Sequence, residues 1–279
     1  MRLPAGGKTV LRRLQPFWPG LSFWGGSWRY CDRMAVTRLK LNIEYDGTGF
    51  KGWQLQPDVR TVQGEIENVL EKLCRRRIPI MGSGRTDTGV HALGQVAHAD
   101  VRVDELERVS TGLPSMLPDD IAVKSVEEVD RSFHARHSAV SRLYRYRIEK
   151  RKHPLKVRYS HTSALARDLN VEDMQRAANL SIGENSWKAM AKEGSSNSDW
   201  MVNVLSAGVT EDKSGYSFLI RANRFLRGMV RIWTGTLVNI GSGTAEPELI
   251  TRLLETGDRS EAGTSLPGKG LILVEVKYS

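Results

Sequence analysis

Between residues 38 and 45 the apolar side chains Leu39, Leu41, Ile43 and Tyr45 alternate with Arg38, Lys40, Asn42 and Glu44. A period of two predicts a half-buried strand. A loop, D-G-T-G-F-K-G-W-Q-L-Q-P-D, follows over residues 46–58. From Thr61 the period lengthens: Val62, Ile66, Val69, Leu70 and Leu73 share one face of a predicted helix. Arg75, Arg76 and Arg77 close it against the negative end of the helix dipole. A solvated last turn and an RNA contact are equally good readings of that triplet. Apolar runs at 78–82 and 95–103 predict two more strands, with a short helix around 104–111 and a strand at 121–129. Pro114 and Pro118 fall in the last connection. The resulting β-α-β-β-α-β order is that of a ferredoxin-like unit, an α+β sandwich with helices on one face of an antiparallel sheet.

The remainder repeats these ingredients. Residues 133–147 read F-H-A-R-H-S-A-V-S-R-L-Y-R-Y-R, with Tyr144 and Tyr146 on one side of a strand and Arg145 and Arg147 on the other. Aromatic faces that stack bases, interleaved with cations that hold phosphates, suit splayed RNA; a strand with a buried aromatic face and a wet basic one gives the same pattern. Lys150, Arg151, Lys152, Lys156 and Arg158 extend the positive charge. A helix is predicted at 171–182 with Met174, Ala177, Ala178 and Ile182 inward, and a flexible break at 194–198 (G-S-S-N-S). Strands at 202–209 and 216–222, a helix at 225–240 with Arg227 and Arg231 one turn apart, a helix near 246–254 and a strand at 271–276 complete the chain. Two such units, 34–135 and 136–279, would leave a cleft between their sheets.

At 279 residues and 40% hydrophobic content, the chain can bury a sizeable core. No apolar run approaches the roughly 20 residues a membrane helix needs. The two cysteines, Cys31 and Cys74, stand in unrelated settings, which argues against a disulfide framework and for a reducing, cytoplasmic compartment. The net charge of +9 favours a polyanionic partner. Residues 1–33, however, hold six basic side chains and one acid, a surplus of five that leaves only +4 for the rest. Those 33 residues show neither helical nor strand periodicity and read as a disordered extension. Met34 would then be the natural first residue, and an organellar transit peptide is the alternative.

The candidate chemistry lies in residues 81–98, M-G-S-G-R-T-D-T-G-V-H-A-L-G-Q-V-A-H. Gly82, Gly84 and Gly89 permit tight turns and close approach of backbone to a ligand. Arg85 and Asp87 are thereby presented from a turn between two strands, an arrangement typical of reactive groups; a plain β-turn capped by Asp87 is the other reading. A phosphate-binding loop is excluded because its lysine is missing, and a dinucleotide fold because the third glycine is. The six histidines contain no H-E-x-x-H, and no cysteine pair accompanies them, so no metal site is expected. His91 and His134 are read as hydrogen-bonded structural residues.

These motifs resemble the TruA family of tRNA pseudouridine synthases over nearly everything from Arg38 to Tyr278: E-Y-D-G-T-G-F-K-G-W-Q from Glu44, T-V-Q from Thr61, G-R-T-D-T-G-V-H from Gly84, F-H-A-R from Phe133, R-L-Y-R-Y from Arg142, N-R-F-L-R-G-M-V-R from Asn223 and G-L-I-L from Gly270. The resemblance implies two ferredoxin-like (RRM-like) domains sharing a continuous, mainly antiparallel sheet with the active site in a central cleft. It implies that Asp87 is the essential aspartate, that Arg85 helps open the stem and hold the target nucleotide out, that Tyr144 packs against the uracil, and that Arg231 pairs with the aspartate. It also implies tRNA as substrate, uridines of the anticodon stem-loop as targets, and a homodimer. The reaction breaks the C1′–N1 bond, turns the bound base and joins C5 to C1′ with no net redox change, so no cofactor is expected. An arginine beside Asp87 would favour the ionised carboxylate, which either attacks C1′ or takes the proton at C2′.

Three stretches depart from the family pattern: Leu143 where a basic residue is common, residues 186–199, and S-L-P-G-K-G-L near the end. Two rival functions also fit: an RNA-binding or RNA-chaperone module in which Asp87 does nothing, and a paralogue acting on another RNA.

Overall fold

The computed structural model describes residues 35–163, 168–192, 194 and 199–279. The expected disordered extension, including Cys31, and most of the expected break at 194–198 lie outside the described residues. Strand β1 spans Val36–Tyr45, with Leu39, Leu41, Ile43 and Tyr45 all buried as the alternation requires. Helix α1 (Val62–Cys74) begins where the Thr61 hydroxyl accepts the Gly64 amide and ends on Arg75 in a left-handed conformation. Of the triplet that follows, Arg76 is committed to an ion pair with the buried Glu105.

Strand β2 (Ile80–Gly82) is shorter than expected, whereas β3 (His91–Arg102) begins four residues before the predicted start. Helix α2 (Leu106–Met116) contains Pro114 rather than ending before it. One missing amide near the C-terminal end leaves a carbonyl without its partner but does not stop the last turn. Strand β4 (Ile121–Val129) has the predicted bounds.

Strands β5 (Ala139–Glu149) and β6 (His161–Thr162) follow. Helix α3 (Val171–Leu180) is capped by Asn170, whose side chain accepts the amides of Glu172 and Asp173. It stops before Ile182, which is 45% exposed instead of inward. A strand not anticipated, β7 (Gly183–Ser186), precedes β8 (Met201–Asp212) and β9 (Gly215–Ala222). Helix α4 runs Met229–Gly241 and not from residue 225, because Gly228 (φ 73°) takes a left-handed turn immediately before it. Arg227 therefore lies outside the helix. Helix α5 (Leu249–Thr256) and strand β10 (Leu271–Tyr278) end the chain.

Among the described residues ten strands form one sheet in the order β4-β1-β3-β10-β5-β9-β8-β7, with β2 on β3 and β6 on β5. The first four strands lie as β4-β1-β3-β2, and the same order recurs as β10-β5-β9-β8. The protein is thus an α+β fold built from two ferredoxin-like arrangements in a continuous, mainly antiparallel sheet. Their seam is the parallel pairing of β3 with β10, in which His91 and Ala92 face Ile272 and Leu273. Further along the same edge of β3, residues Ala97 to Ala99 pair with β2. The β2–β3 connection therefore emerges at the seam. One apolar core continues beneath both halves, from Leu39, Leu41 and Ile66 to Trp187, Phe218 and Trp233.

Candidate active site

The connection from Ser83 to Val90 is held from behind by a buried polar network. The Ser83 amide donates to the Val96 carbonyl (2.7 Å) and the Ser83 hydroxyl to Gln95 Oε1 (2.6 Å), while Gln95 Nε2 donates to the Gly84 carbonyl (2.9 Å). The Thr86 hydroxyl meets the Tyr45 hydroxyl at 2.8 Å, and the Trp53 amide donates to the Thr86 carbonyl at 3.0 Å. Gly52 makes that last contact feasible: its φ is +97°, and a Cβ there would lie 2.6 Å from the Thr86 oxygen. These bonds fix the backbone on one side and leave Arg85 and Asp87 on the other.

Asp87 is 28% exposed at its side chain. Its Oδ2 accepts a hydrogen bond from Arg231 Nη1 at 3.0 Å, and Arg227 Nε lies 4.0 Å from its Oδ1. Arg231 is aimed by its own second bond, since its Nε donates to the Leu266 carbonyl. The arginine thus belongs to one ferredoxin-like half and the carboxylate to the other.

Tyr144 reaches the same place from β5. It is buried, with its ring edge-on to Phe225 at 4.9 Å between centroids. Burial pushes its hydroxyl up to about 12, with Arg142 lowering it and Asp87 raising it, so the phenol is neutral throughout the physiological range. Asp87, Arg231, Tyr144, Phe225 and Trp53 all line one cavity of about 770 Å³. That volume is ample for a nucleoside monophosphate unit. Arg85 lies on its rim, exposed and with no hydrogen bond or ion pair among the described residues.

All four residues singled out in the sequence, Asp87, Arg85, Arg231 and Tyr144, therefore line a single cavity. Arg227, Phe225 and Arg142 line it too and were not singled out. The signal for the first two was the unhelical glycine in N-R-F-L-R-G-M-V-R, which unwinds residues 223–228 toward the cavity.

The run at 133–147 is mainly a structural strand. Tyr144 and Tyr146 are buried, and Arg147 is spent on Asp212 and Glu149. Leu143 faces away from Tyr144 and does not line the cavity. His91 and His134 are hydrogen-bonded as expected: His91 Nδ1 accepts the Gly47 amide, and His134 Nδ1 the amides of Arg136 and His137. In the divergent stretch, Asp199 pairs with Arg224 on the cavity rim. No helix among the described residues is long and apolar enough to cross a membrane.

A family model described as tRNA pseudouridine synthase matches residues 42–138 and 177–279. The tRNA pseudouridine synthase A of Bacillus subtilis (strain 168) is 42% identical over 244 residues, which are 86% of this chain and 99% of that protein. The proteins of the same name from Exiguobacterium sp. and Acetivibrio thermocellus are each 39% identical over 244 residues, 87% of this chain and 98% and 100% of theirs. The matched segments take in both the turn that carries Asp87 and the helix that carries Arg231, and on this breadth of agreement the chain belongs to the TruA family of tRNA pseudouridine synthases.

Proposed function

We propose that this protein isomerises uridine to pseudouridine in the anticodon stem-loop of tRNA, with Asp87 as the reacting carboxylate. The observation that carries this reading is the 3.0 Å pairing of Asp87 with Arg231 at the wall of a cavity that also contains Tyr144. A guanidinium at that distance makes a charge-assisted hydrogen bond that fixes the direction of the carboxylate. The carboxylate then meets the ribose of a nucleotide drawn out of its stack. The C1′–N1 bond breaks, the freed uracil turns in place, C5 bonds to C1′, and the C5 proton is lost as N1 gains one. Atoms and electrons balance without a co-reactant.

Tyr144, backed by Phe225, offers the flat apolar face against which the base is held while it turns. Arg85 is free to enter the stem and occupy the space the uridine leaves. Extrusion costs a few kcal/mol, which cationic and stacking contacts at the rim offset. The two domains in this reading are residues 34–135 and 136–279, and the working unit is a cytoplasmic homodimer.

The test is Asp87→Asn. Pseudouridine formation in an unmodified tRNA transcript should disappear while tRNA binding persists. Retained isomerisation would remove Asp87 from the chemistry, and a wild-type protein that binds tRNA without modifying it would make this a binding module.

A further inference from the structure

Arg142 is the buried cation of this site, and no acid answers it. It is 8% exposed, and among the described residues it forms no ion pair with any carboxylate. Its two terminal nitrogens instead donate to four backbone carbonyls. Nη1 reaches Asn223 at 2.7 Å and Ala139 at 3.2 Å, and Nη2 reaches Arg136 at 2.7 Å and Ser83 at 3.0 Å. Burial disfavours the charged form, and the four carbonyl dipoles directed at the guanidinium compensate for the missing carboxylate.

The four acceptors come from three segments. Ser83 opens the loop that carries Arg85 and Asp87. Asn223 opens the unwound stretch that carries Phe225 and Arg227 and leads into Arg231. Arg136 and Ala139 lie where the chain passes from one half to the other. Only a planar fork with donors in fixed directions can serve all of them; a lysine ammonium has three donors on one atom and cannot span the set. Arg142 is also two residues from Tyr144 on the same face of β5.

We propose that Arg142 is a positioning residue for the isomerisation: its guanidinium fastens the loop of Asp87 to the segment leading to Arg231, so that carboxylate and guanidinium from different halves meet at bonding distance. The proposal rests on the reading of Asp87 as the reacting group. Misplacing such a pair by about an ångström costs on the order of 100-fold in rate without a new contact being lost to the substrate.

The experiment compares wild type, Arg142→Lys, Arg142→Met and Asp87→Asn, full length, under single-turnover conditions with saturating enzyme and an unmodified tRNA transcript. Dissociation constants are measured by filter binding. Both Arg142 variants should fold cooperatively, bind tRNA within about threefold of wild type, and isomerise about 100-fold more slowly. Amide exchange over residues 84–90 should quicken in both. A rate within threefold of wild type for Arg142→Lys would overturn the proposal, because the charge alone would then suffice. Rate and affinity falling by the same factor would overturn it as well, making Arg142 a substrate contact. Failure of even Arg142→Lys to fold, while Asp87→Asn folds, would make the guanidinium a requirement of the fold rather than of the site. An active Asp87→Asn would instead sink the reading of Asp87, whatever the Arg142 variants do.

Discussion

The two ferredoxin-like halves use the same strand order and treat the same two connections in opposite ways. In the second half the turn from β8 to β9 is just Lys213 and Ser214, and its acid, Asp212, is tied into its own backbone: Oδ1 accepts the amides of Ser214 and Gly215 while both oxygens hold Arg147. In the first half β2 is cut to three residues and the equivalent connection opens to the eight residues from Ser83 to Val90. Its acid, Asp87, is held by arginines of the other half. The connection from the third strand to the following helix shows the reverse. In the first half it is closed by Glu105, fully buried between Arg76 and Arg102. In the second it unwinds over residues 223–228 and lends Phe225 and Arg227 to the cavity. One fold thus becomes a site by loosening a different connection in each copy and setting the two loosened ends against each other.

Exchanging the two acids for their amides gives the largest separation. Asp87→Asn should lower isomerisation at least 1000-fold, roughly the scale of removing a group that reacts with substrate, with the melting temperature nearly unchanged. Asp212→Asn should do the opposite, leaving the rate within about threefold and shifting only stability, because an exposed pair contributes roughly 0–1 kcal/mol. A rate loss in Asp212→Asn would mean that the second turn is not merely structural.

Arg231→Met should cost about 100-fold in kcat, in the range seen when one charge-stabilising donor is removed from a site. Arg231→Lys should recover only part of it, since the guanidinium holds Asp87 and the Leu266 carbonyl at once. Equal activity of the two variants would show that charge without direction is enough.

Gly52→Ala probes the support of the opened loop. The new Cβ would meet the Thr86 oxygen at 2.6 Å on a backbone at φ +97°, so a loss of about 1–3 kcal/mol is expected in denaturant titration. Wild-type stability would show that the loop can move aside.

The closed connection has a pH signature. Burial raises the Glu105 carboxyl, but the bonds from Arg76 and Arg102 outweigh it and hold the group at about 2 against an ordinary 4.5. A folded-state value below the unfolded one stabilises the protein above about 4.5, and that contribution is lost as pH falls toward 2. Glu105→Gln should therefore unfold less steeply with acid over this window than wild type. Parallel acid titrations of the two proteins would deny Glu105 this role.

Much of this was legible in the chain. Period-two alternation set β1 and β5, and the face of α1 followed from its four buried positions. Asp87, Arg85, Tyr144 and Arg231 stood in motifs. The boundaries near the site were less so. Pro114 reads as a stop, yet one lost amide late in a helix is tolerated. Arg227 reads as one helical turn before Arg231, yet Gly228 turns left-handed and puts it in a loop. Arg142 escaped because its partners are backbone carbonyls from three distant segments, and carbonyls leave no trace in a sequence.

The smallest effect should come from Leu143, the first of the three departures from the resemblance. In a strand, neighbours point to opposite faces, so with Tyr144 in the cavity Leu143 must lie behind the sheet, and it does. A lysine placed there would add a cation on the wrong side to touch the target nucleotide. Leu143→Lys should leave kcat unchanged and shift the KM for tRNA by less than about threefold, through long-range attraction that added salt removes. A larger, salt-sensitive drop in KM would mean that the back of the sheet also meets RNA, and the division of labour between its two faces would have to be redrawn.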